Sequence, residues 1–318
     1  MAFNGKMIVV FGGSGFVGRY VVRKLAAQGW RVRVASRDPE AGLYLKTTGD
    51  VGQVTPVQAN IRNEASVRAA IEGCDAVINL VGILYESGKQ KFDEVQGNAS
   101  ARIAKIAKEC GVENYVHMSA LGADANSKSK YAQSKAAGED AVRAVYQDAV
   151  IVRPSVIFGP QDGFFNRFAS MAATSPALPL IGGGKTKFQP VYVGDVAEVI
   201  VRGLDDKSMA GQTYELGGLD VLSLEEVYKV LLKQMGKHRG LVPMPLFLAK
   251  ILGSVLSFLP VPPMTRDQMI LLERDNVVSG DLPGLADLGI EPTTIASELP
   301  HYMNRYRNGG QYNPITPS

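Results

Sequence analysis

The sequence predicts an α/β protein, a doubly wound parallel sheet carrying a smaller C-terminal domain. Three observations predict it. Apolar strand-like runs alternate with helical stretches from Met7 to Arg153. The first run, Met7-Ile-Val-Val-Phe11, passes directly into the glycine-rich turn Gly12-Gly13-Ser14-Gly15-Phe16-Val17-Gly18. The chain of 318 residues, 46% hydrophobic and 20% charged, is long enough for a full sheet domain and a second, smaller core.

The elements follow in order. Met7–Phe11 is a strand and Arg19 to Gln28 a helix, followed by a strand at Trp30–Ala35 and another at Val54–Gln58. A helix is expected over Glu64–Ile71, a strongly apolar strand over Ala76–Val81 and a long helix over Val95–Cys110. Tyr115–Met118, a helix over Tyr131–Tyr146 and a strand at Ala149–Arg153 complete the series. The expected division is residues 1–160, with 189–220 returning to them, against a smaller domain of 161–188 and 221–318. In such a sheet ligands bind at the carboxyl ends of the strands, so the informative residues sit just after each strand.

The first strand end is the most informative. Its glycines fit two spacings at once, Gly13-x-Gly15-x-x-Gly18 and Gly12-x-x-Gly15-x-x-Gly18. Glycine lets the backbone turn tightly and approach a pyrophosphate, and the following helix offers free N–H groups and a positive dipole end. Gly12, Ser14, Gly15, Phe16, Val17 and Gly18 are therefore candidate dinucleotide contacts. The second strand ends in Ser36-Arg37-Asp38, a hydroxyl and a permanent cation suited to a 2′-phosphate, which favours NADP(H) over NAD(H). Asp38 is the opposing signal, because an acid about twenty residues beyond the glycines serves the ribose 2′-hydroxyl of NAD. Asn60 and Ile61 follow the next strand, where Asn60 could meet an adenine edge or only make a turn, with Asn63 as a helix cap. Leu80, Val81 and Gly82 end a buried strand where a cofactor ribose would pass.

Tyr131 and Lys135 stand four apart on one helix face. An ammonium near a phenol favours phenolate, which suits a group that passes a proton while hydride moves to or from a nicotinamide. The remaining composition is less informative. A net charge of +3 from 34 basic and 31 acidic residues is too balanced for nucleic-acid binding. Cys74 and Cys110 have no metal-ligand spacing and read as reduced structural thiols, and the three histidines show neither triad nor metal spacing. The fold begins by residue 7, so no signal or transit peptide is expected, and a bacterial cytoplasm or the matrix side of a mitochondrion, for a processed chain, fits equally.

Gly12-Gly-Ser-Gly-Phe-Val-Gly18, Tyr131-x-x-x-Lys135, Arg153-Pro-Ser-Val-Ile-Phe-Gly-Pro160 and Val191-Tyr-Val-Gly-Asp-Val196 resemble the extended and atypical short-chain dehydrogenase/reductases. Gly18-Arg-Tyr-Val-Val22, Val77-Ile-Asn-Leu-Val-Gly82, Ala136-Ala-Gly-Glu139, Phe168-Ala-Ser-Met171 and Gln189-Pro-Val-Tyr-Val193 narrow the resemblance. They point to the branch formed by the NADPH-binding accessory subunit of respiratory complex I and its bacterial relatives. The resemblance covers about residues 5 to 220 and implies a Rossmann sheet, NADP(H), and a small C-terminal domain over the nicotinamide end. It implies a catalytic pair at Tyr131 and Lys135, with Lys135 also reaching the nicotinamide ribose, and places Pro154, Ser155 and Val156 beside the nicotinamide. Asn98 falls where many members carry a helix asparagine.

One departure bears on activity. The family's substrate-polarising serine or threonine follows the fifth strand, where this chain reads Met118-Ser119-Ala120. The registration puts Ala120 at that position and Ser119 one residue early, its side chain turned the other way, with Ser127 and Ser129 as substitutes. Further on, Leu241 to Met264 carries Lys250 as its one charge and is bounded by prolines, leaving a helix of about Leu246 to Leu259. That is too short to span a bilayer. It is a core helix, the wall of an apolar pocket, or a surface for a membrane or partner, with a basic rim at Lys233, Lys237, His238 and Arg239. Three functions compete: an accessory subunit holding NADP(H) as a structural ligand, an oxidoreductase acting on an apolar carbonyl or quinone-like substrate, and an NADP(H)-sensing regulator.

Overall fold

The computed structural model describes residues 4–257, 259, 262, 264–307 and 309–310. Phe258, Pro260, Val261 and Pro263 of the expected apolar stretch lie outside the described residues, as do the extreme ends of the two expected domains. The chain divides into two compact units.

The first unit comprises Met1–Pro154, Gly194–Leu216 and Gly280–Gly289. It runs β1 (Met7–Phe11), α1 (Phe16–Ala27), β2 (Arg31–Ser36), β3 (Val54–Gln58), α2 (Glu64–Ile71), β4 (Ala76–Asn79), α3 (Ala99–Glu109), β5 (Asn114–Met118), α4 (Lys130–Arg143) and β6 (Val150–Pro154). The chain continues through β7 (Ile157–Phe158), α5 (Phe165–Thr174), β8 (Ala177–Ile181), β9 (Lys187–Phe188) and β10 (Val191–Tyr192), then α6 (Val193–Asp205) and β11 (Thr213–Leu216). It ends with β12 (Leu222–Ser223), α7 (Leu224–Met235), β13 (Gly240–Met244), α8 (Leu246–Leu256), α9 (Arg266–Leu271) and α10 (Ile295–Met303).

Seven parallel strands form the sheet in the order β11-β6-β5-β4-β1-β2-β3. Strands covered on both faces need continuous apolar runs, and Ile8, Val9, Val10 and Phe11 of β1 are wholly buried. The strand order reverses between β1 and β4, where Phe11 is in register with Asn79. That reversal opens a crevice beyond the strand ends, where doubly wound sheets bind ligands.

Several boundaries differ from those expected, each for a local reason. The strand expected over Ala76–Val81 stops at Asn79, because the Val81 N–H bonds the Asn79 side-chain oxygen at 3.1 Å. The helix expected over Val95–Cys110 opens as a π-helical turn, Asp93–Asn98, before α3 begins. Helix α4 packs tightly against that turn through Gly138, where an added Cβ would stand 2.5 Å from the Gln96 carbonyl oxygen. The chain leaves the first unit after Pro154, earlier than the expected residue 160, and re-enters it twice, at Gly194–Leu216 within the expected 189–220 and again at Gly280–Gly289. The Glu215 N–H donates to Pro283 O at 3.0 Å and fixes this segment beside β11.

The second unit comprises Ser155–Val193, Gly217–Ser279 and Ile290–Ser318. Its core gathers Phe158, Phe165, Leu178, Val227, Tyr228 and Leu299. Helix α7 opens with a Ser223/Glu226 capping box and closes on Gly236 at φ 61°, a left-handed C-cap that glycine adopts without steric cost. Helix α8 meets the core along one edge: Ala249 is buried there with the half-buried Leu246 beside it, and Gly253 is buried against the start of α9, while Phe247, Leu248, Ile251, Leu252 and Val255 are exposed. Among the described residues no helix is long and apolar enough to cross a membrane.

Candidate functional site

The glycine turn lies at the strand-order reversal. Gly12 adopts φ +79°, and its α-carbon faces the tail of β4, with Leu80 and Val81 backbone atoms 3.3–3.4 Å from where a Cβ would stand. Gly18 permits the closest approach: a Cβ there would meet Gly12 O at 2.4 Å and Gly13 Cα at 2.5 Å. Helix α1 therefore starts at Phe16, directly on the turn, and its N-cap Gly15 has no side chain to occupy the first-turn N–H groups. These donors and the positive end of α1 converge on the crevice, an arrangement that accepts an anion. Tyr44, which the sequence reading missed, braces the turn by donating its hydroxyl to Ser14 O at 3.1 Å, with Arg19 5.2 Å over its ring.

At the end of β2 the acid and the cation have different employment. The Asp38 carboxylate accepts from the N–H groups of Glu40 and Ala41 at 3.1 and 3.4 Å, starting the short helix that follows. Arg37 is exposed beside it. The Ser36 hydroxyl donates to Asp38 O at 2.6 Å, so the hydroxyl expected for a 2′-phosphate is spent within the turn. Asn60 likewise uses its side-chain oxygen locally, on the Arg62 N–H, and Asn63 caps α2. The Ile61 carbonyl is held by Arg102 at 2.7 Å.

Behind Gly82 the ends of β4 and β5 and the start of α4 bring together a buried polar layer. Lys135 is 3% exposed and donates to Met118 O at 3.2 Å, and its Nζ stands 3.2 Å from the Cβ position of Gly82. Asn79 is fully used: its amide donates to Ser100 Oγ and meets His117 Nδ1 at 3.3 Å, while its oxygen accepts from Val81. Burial, with the Lys135 charge adding to it, pushes the His117 pKa down to about 3, so the imidazole is neutral. With Nδ1 accepting from Asn79, the ring proton is assigned to Nε2. Asn98 is exposed and reaches only Glu94. The buried amide is Gln96, two residues earlier in the π turn, which accepts from Ile83 N–H and donates to Ser134 Oγ, both at 2.9 Å. It ties the loop after Gly82 to the helix carrying Tyr131 and Lys135, and π turns frequently mark functional sites.

The electrostatics depart from the expectation for Tyr131. Burial pushes its phenol up to about 12, whereas the tyrosine–lysine spacing led us to expect a lowered value. Its ring packs edge-on to Phe92 at 5.8 Å, an apolar neighbour that favours the neutral phenol. Burial also brings Lys135 down to about 8, with Glu139 acting in the opposite direction. Lys135 has a stability consequence. Between about pH 8 and its ordinary value of 10.5 the unfolded chain holds a proton that the folded chain has released, so this group makes stability rise with pH. Below about 8 the buried ammonium is a constant cost. Lys135→Met is therefore expected to be stabilised relative to wild type at pH 7. That advantage should shrink by roughly 2 kcal/mol by about pH 9.5, at about 1.4 kcal/mol per pH unit, in paired urea titrations. Above pH 10 the raised Tyr131 acts with the opposite sign.

None of the serines near this layer presents a free hydroxyl at the end of β5. Ser119 is 2% exposed with its hydroxyl enclosed and without a hydrogen-bond partner, whereas Ala120 is only half-buried. Ser127 Oγ accepts from Ser129 N–H at 3.1 Å, and Ser129 caps α4, so both proposed substitutes serve the start of that helix. Pro154 closes β6 in the first unit, while Ser155 and Val156 belong to the second. There Asn276 accepts from the Ser155 hydroxyl at 2.7 Å and the Val156 N–H at 3.0 Å. Nothing in its sequence context marked Asn276. Cys74 and Cys110 are free, and burial pushes the Cys74 thiol up to about 11, which keeps it protonated.

The glycine turn, the free start of α1, exposed Arg37 and Lys135 behind Gly82 fit a dinucleotide: backbone donors for the pyrophosphate, a cation at the ribose end and an ammonium under the strand tail. The comparisons agree in fold. Residues 8–217 match the model of the NAD dependent epimerase/dehydratase family. The chain is 37% identical over 319 residues to the mitochondrial NADH dehydrogenase [ubiquinone] 1 alpha subcomplex subunit 9 of Arabidopsis thaliana, covering 96% of this chain and 79% of that protein. A ceramide reductase of Caulobacter vibrioides is 32% identical over 196 residues, 61% of this chain and 60% of its own. The UDP-glucose 4-epimerase of Thermus thermophilus, solved with NAD, superposes with a TM-score of 0.71 at 22% identity, covering 94% of this chain and 98% of that one.

Proposed function

This chain belongs to the NAD dependent epimerase/dehydratase family, the extended short-chain dehydrogenase/reductases, and on that footing we propose that it binds NADP(H) as a protein of the complex-I accessory-subunit type. In this reading it holds the nucleotide as a structural ligand or turns it over slowly. What supports the proposal is the glycine turn closing on Gly12 and Gly18, together with the enclosed, unpartnered hydroxyl of Ser119 and an alanine, Ala120, where the resemblance puts the carbonyl-polarising hydroxyl. Relatives that cover most of the chain are named as subunits of mitochondrial NADH dehydrogenase, which supports respiratory complex I as the partner. The location that goes with this reading is the face of a respiratory membrane, in a mitochondrion or a bacterium.

The first-turn N–H groups of α1 would hold the pyrophosphate, Arg37 the 2′-phosphate, and Lys135 the nicotinamide ribose beside Gly82. NADP(H) is favoured over NAD(H) because Asp38 Oδ1 is engaged by the Glu40 and Ala41 N–H groups of the following turn while Arg37 stands exposed beside it. Arg37→Ala is expected to weaken NADPH binding about 10- to 100-fold and NADH binding little, the range for one charge-assisted contact, in parallel fluorescence titrations. Bound in this way, NADP(H) would supply hydride-transfer chemistry. Tyr131 would hold the proton at its hydroxyl, and Lys135, at about 8, would return it. A nucleotide present at about a thousand times its Kd would stabilise the folded chain by about 4 kcal/mol, which is sufficient for a structural role.

A reductase acting on an apolar carbonyl is the second reading, favoured by the intact Tyr131 and Lys135 and by the ceramide reductase among the relatives. Single-turnover fluorescence of the protein with stoichiometric NADPH separates the two. The accessory reading expects the reduced-nicotinamide signal to persist for hours with quinones and apolar ketones. A decay driven by one of them and abolished in Tyr131→Phe would replace it with the reductase.

A further inference from the structure

We propose that the outward face of α8, with the basic cleft at the end of α7, docks this protein on an anionic phospholipid bilayer. The argument begins with the geometry of α8. Ala249 and Gly253, four apart, form its packed edge, and a Cβ at Gly253 would stand 3.0 Å from the Thr265 backbone. The opposite edge carries Phe247, Leu248, Ile251, Leu252 and Val255, which are 40–63% exposed. At 100° per residue these five fall on one side of the helix, and Lys250, Ser254 and Ser257 flank them. A helix that buries its small residues and presents its large apolar ones to water is inverted relative to a surface helix of a soluble protein.

Charge identifies the occupant. From Val227 to Arg266 the chain carries Lys229, Lys233, Lys237, Arg239, Lys250 and Arg266 and no aspartate or glutamate; Lys229 and Lys250 pair with Glu225 and Glu273 outside that stretch, so the basic character of this surface comes chiefly from Lys233, Lys237 and Arg239. The cations nearest the start of β13 line a cleft of about 450 Å³ together with Leu232 and Leu241. Arg239 is held there by neutral acceptors, the carbonyl oxygens of Ala172 at 2.7 Å and His238 at 2.9 Å, so its charge is oriented without being neutralised. Lys233 is exposed beside it. The left-handed turn at Gly236 delivers Lys237, His238 and Arg239 to the cleft, and the five residues of β13 connect them to α8. An apolar stripe next to an acid-free basic cleft matches the acyl boundary and the phosphate headgroups of one surface. The eleven residues of α8 extend roughly 16 Å, too short for a hydrocarbon core of about 30 Å, so the helix lies in the interface and does not cross it.

Co-sedimentation with vesicles tests this on the full chain. We expect binding to phosphatidylcholine vesicles containing about 30% phosphatidylglycerol, little binding to phosphatidylcholine alone, and release as salt rises past about 0.5 M. Ile251→Glu with Val255→Glu should lower the partition coefficient at least about 10-fold, leaving the unfolding midpoint and nucleotide titration unchanged. Lys233→Glu with Lys237→Glu should abolish the preference for phosphatidylglycerol. No vesicle binding, binding indifferent to lipid charge, or a glutamate variant that sediments like wild type would overturn the proposal. Binding only to a lipid-free membrane arm of a respiratory complex would also overturn it, and would make this face a protein interface. Nucleotide affinity is read in the same samples, so failure here is distinct from failure of the NADP(H) reading.

Discussion

Gly18→Ala is expected to reduce NADPH affinity by at least about 100-fold and to lower stability by 1–3 kcal/mol or more. The added methyl would stand 2.4 Å from Gly12 O and 2.5 Å from both Gly13 Cα and Gly13 O. All three are backbone atoms of the turn itself, so no flexible side chain can yield, and the strain must be relieved by moving α1 off β1 or by distorting the turn. Either movement displaces the first-turn N–H groups from the crevice, which is why binding should fall by more than the general loss of stability explains. Gly163→Ala is the control: a Cβ there meets nothing within 4 Å, and its effect on both quantities should be small. Titration of nicotinamide fluorescence gives the affinity and urea unfolding of the apo protein gives the stability. Wild-type NADPH affinity in Gly18→Ala would show that the closest contact in the turn does not position the phosphate donors.

Much of this site was legible because strand, turn and helix chemistry is local. Apolar runs bounded by glycine marked β1 and β4, and parallel topology then put Gly12 to Gly18, Arg37 and Gly82 at strand ends without further information. Glycine spacing gave the pyrophosphate turn and helical spacing the Tyr131–Lys135 pair; the resemblance added the segment Pro154 to Val156 and the reach of Lys135 to the nicotinamide ribose. Which local partner each short polar side chain takes was not legible. Ser36, Asn60, Ser127, Ser129 and Asp38 each looked available to a ligand, yet each spends an atom on a turn or cap a few residues away. Short polar side chains at strand ends compete for their own backbone, and sequence position does not reveal which partner prevails. Gln96 was missed because Asn98 came from the resemblance, while the π turn Asp93–Asn98 buries Gln96 and leaves Asn98 exposed. The expected sign of the Tyr131 shift differs from that found because spacing puts a lysine one turn along the helix but does not show how far burial raises the phenol. The outward face of α8 was one of three readings, since periodicity identifies an apolar helix without saying whether anything covers it.

Glu139→Ala is the second large effect expected, about 3–5 kcal/mol of stability. Arg153 ends in a nearly enclosed fork: Nε donates to Glu139 Oε1 at 2.9 Å and one terminal nitrogen to Oε2 at 2.6 Å, with Glu215 3.8 Å from the other. The Glu139 side chain is 8% exposed and that of Arg153 24%, so solvent screens this pair little. The pair joins the middle of α4 to the end of β6, one residue before Pro154, while Lys135 lies one turn back on the same helix. Removing the carboxylate leaves a half-buried guanidinium with the looser Glu215 at 3.8 Å and Asp140 to compensate, which is the costly half of breaking a buried pair. The attraction within the intact pair is largely offset by its desolvation, so replacing both partners should cost much less than replacing one. Glu139→Leu combined with Arg153→Met is therefore expected to recover most of the stability lost in Glu139→Ala, giving a strongly non-additive cycle in urea unfolding. Glu139→Gln tests a different consequence. Glu139 is the charge that raises Lys135 against the pull of burial, so its neutralisation should lower the Lys135 pKa further below about 8. The rise in stability with pH that Lys135 contributes would then begin at a lower pH than in wild type. An unchanged onset would mean that the charge of Glu139 is spent wholly on Arg153, and that the buried lysine is set by desolvation alone.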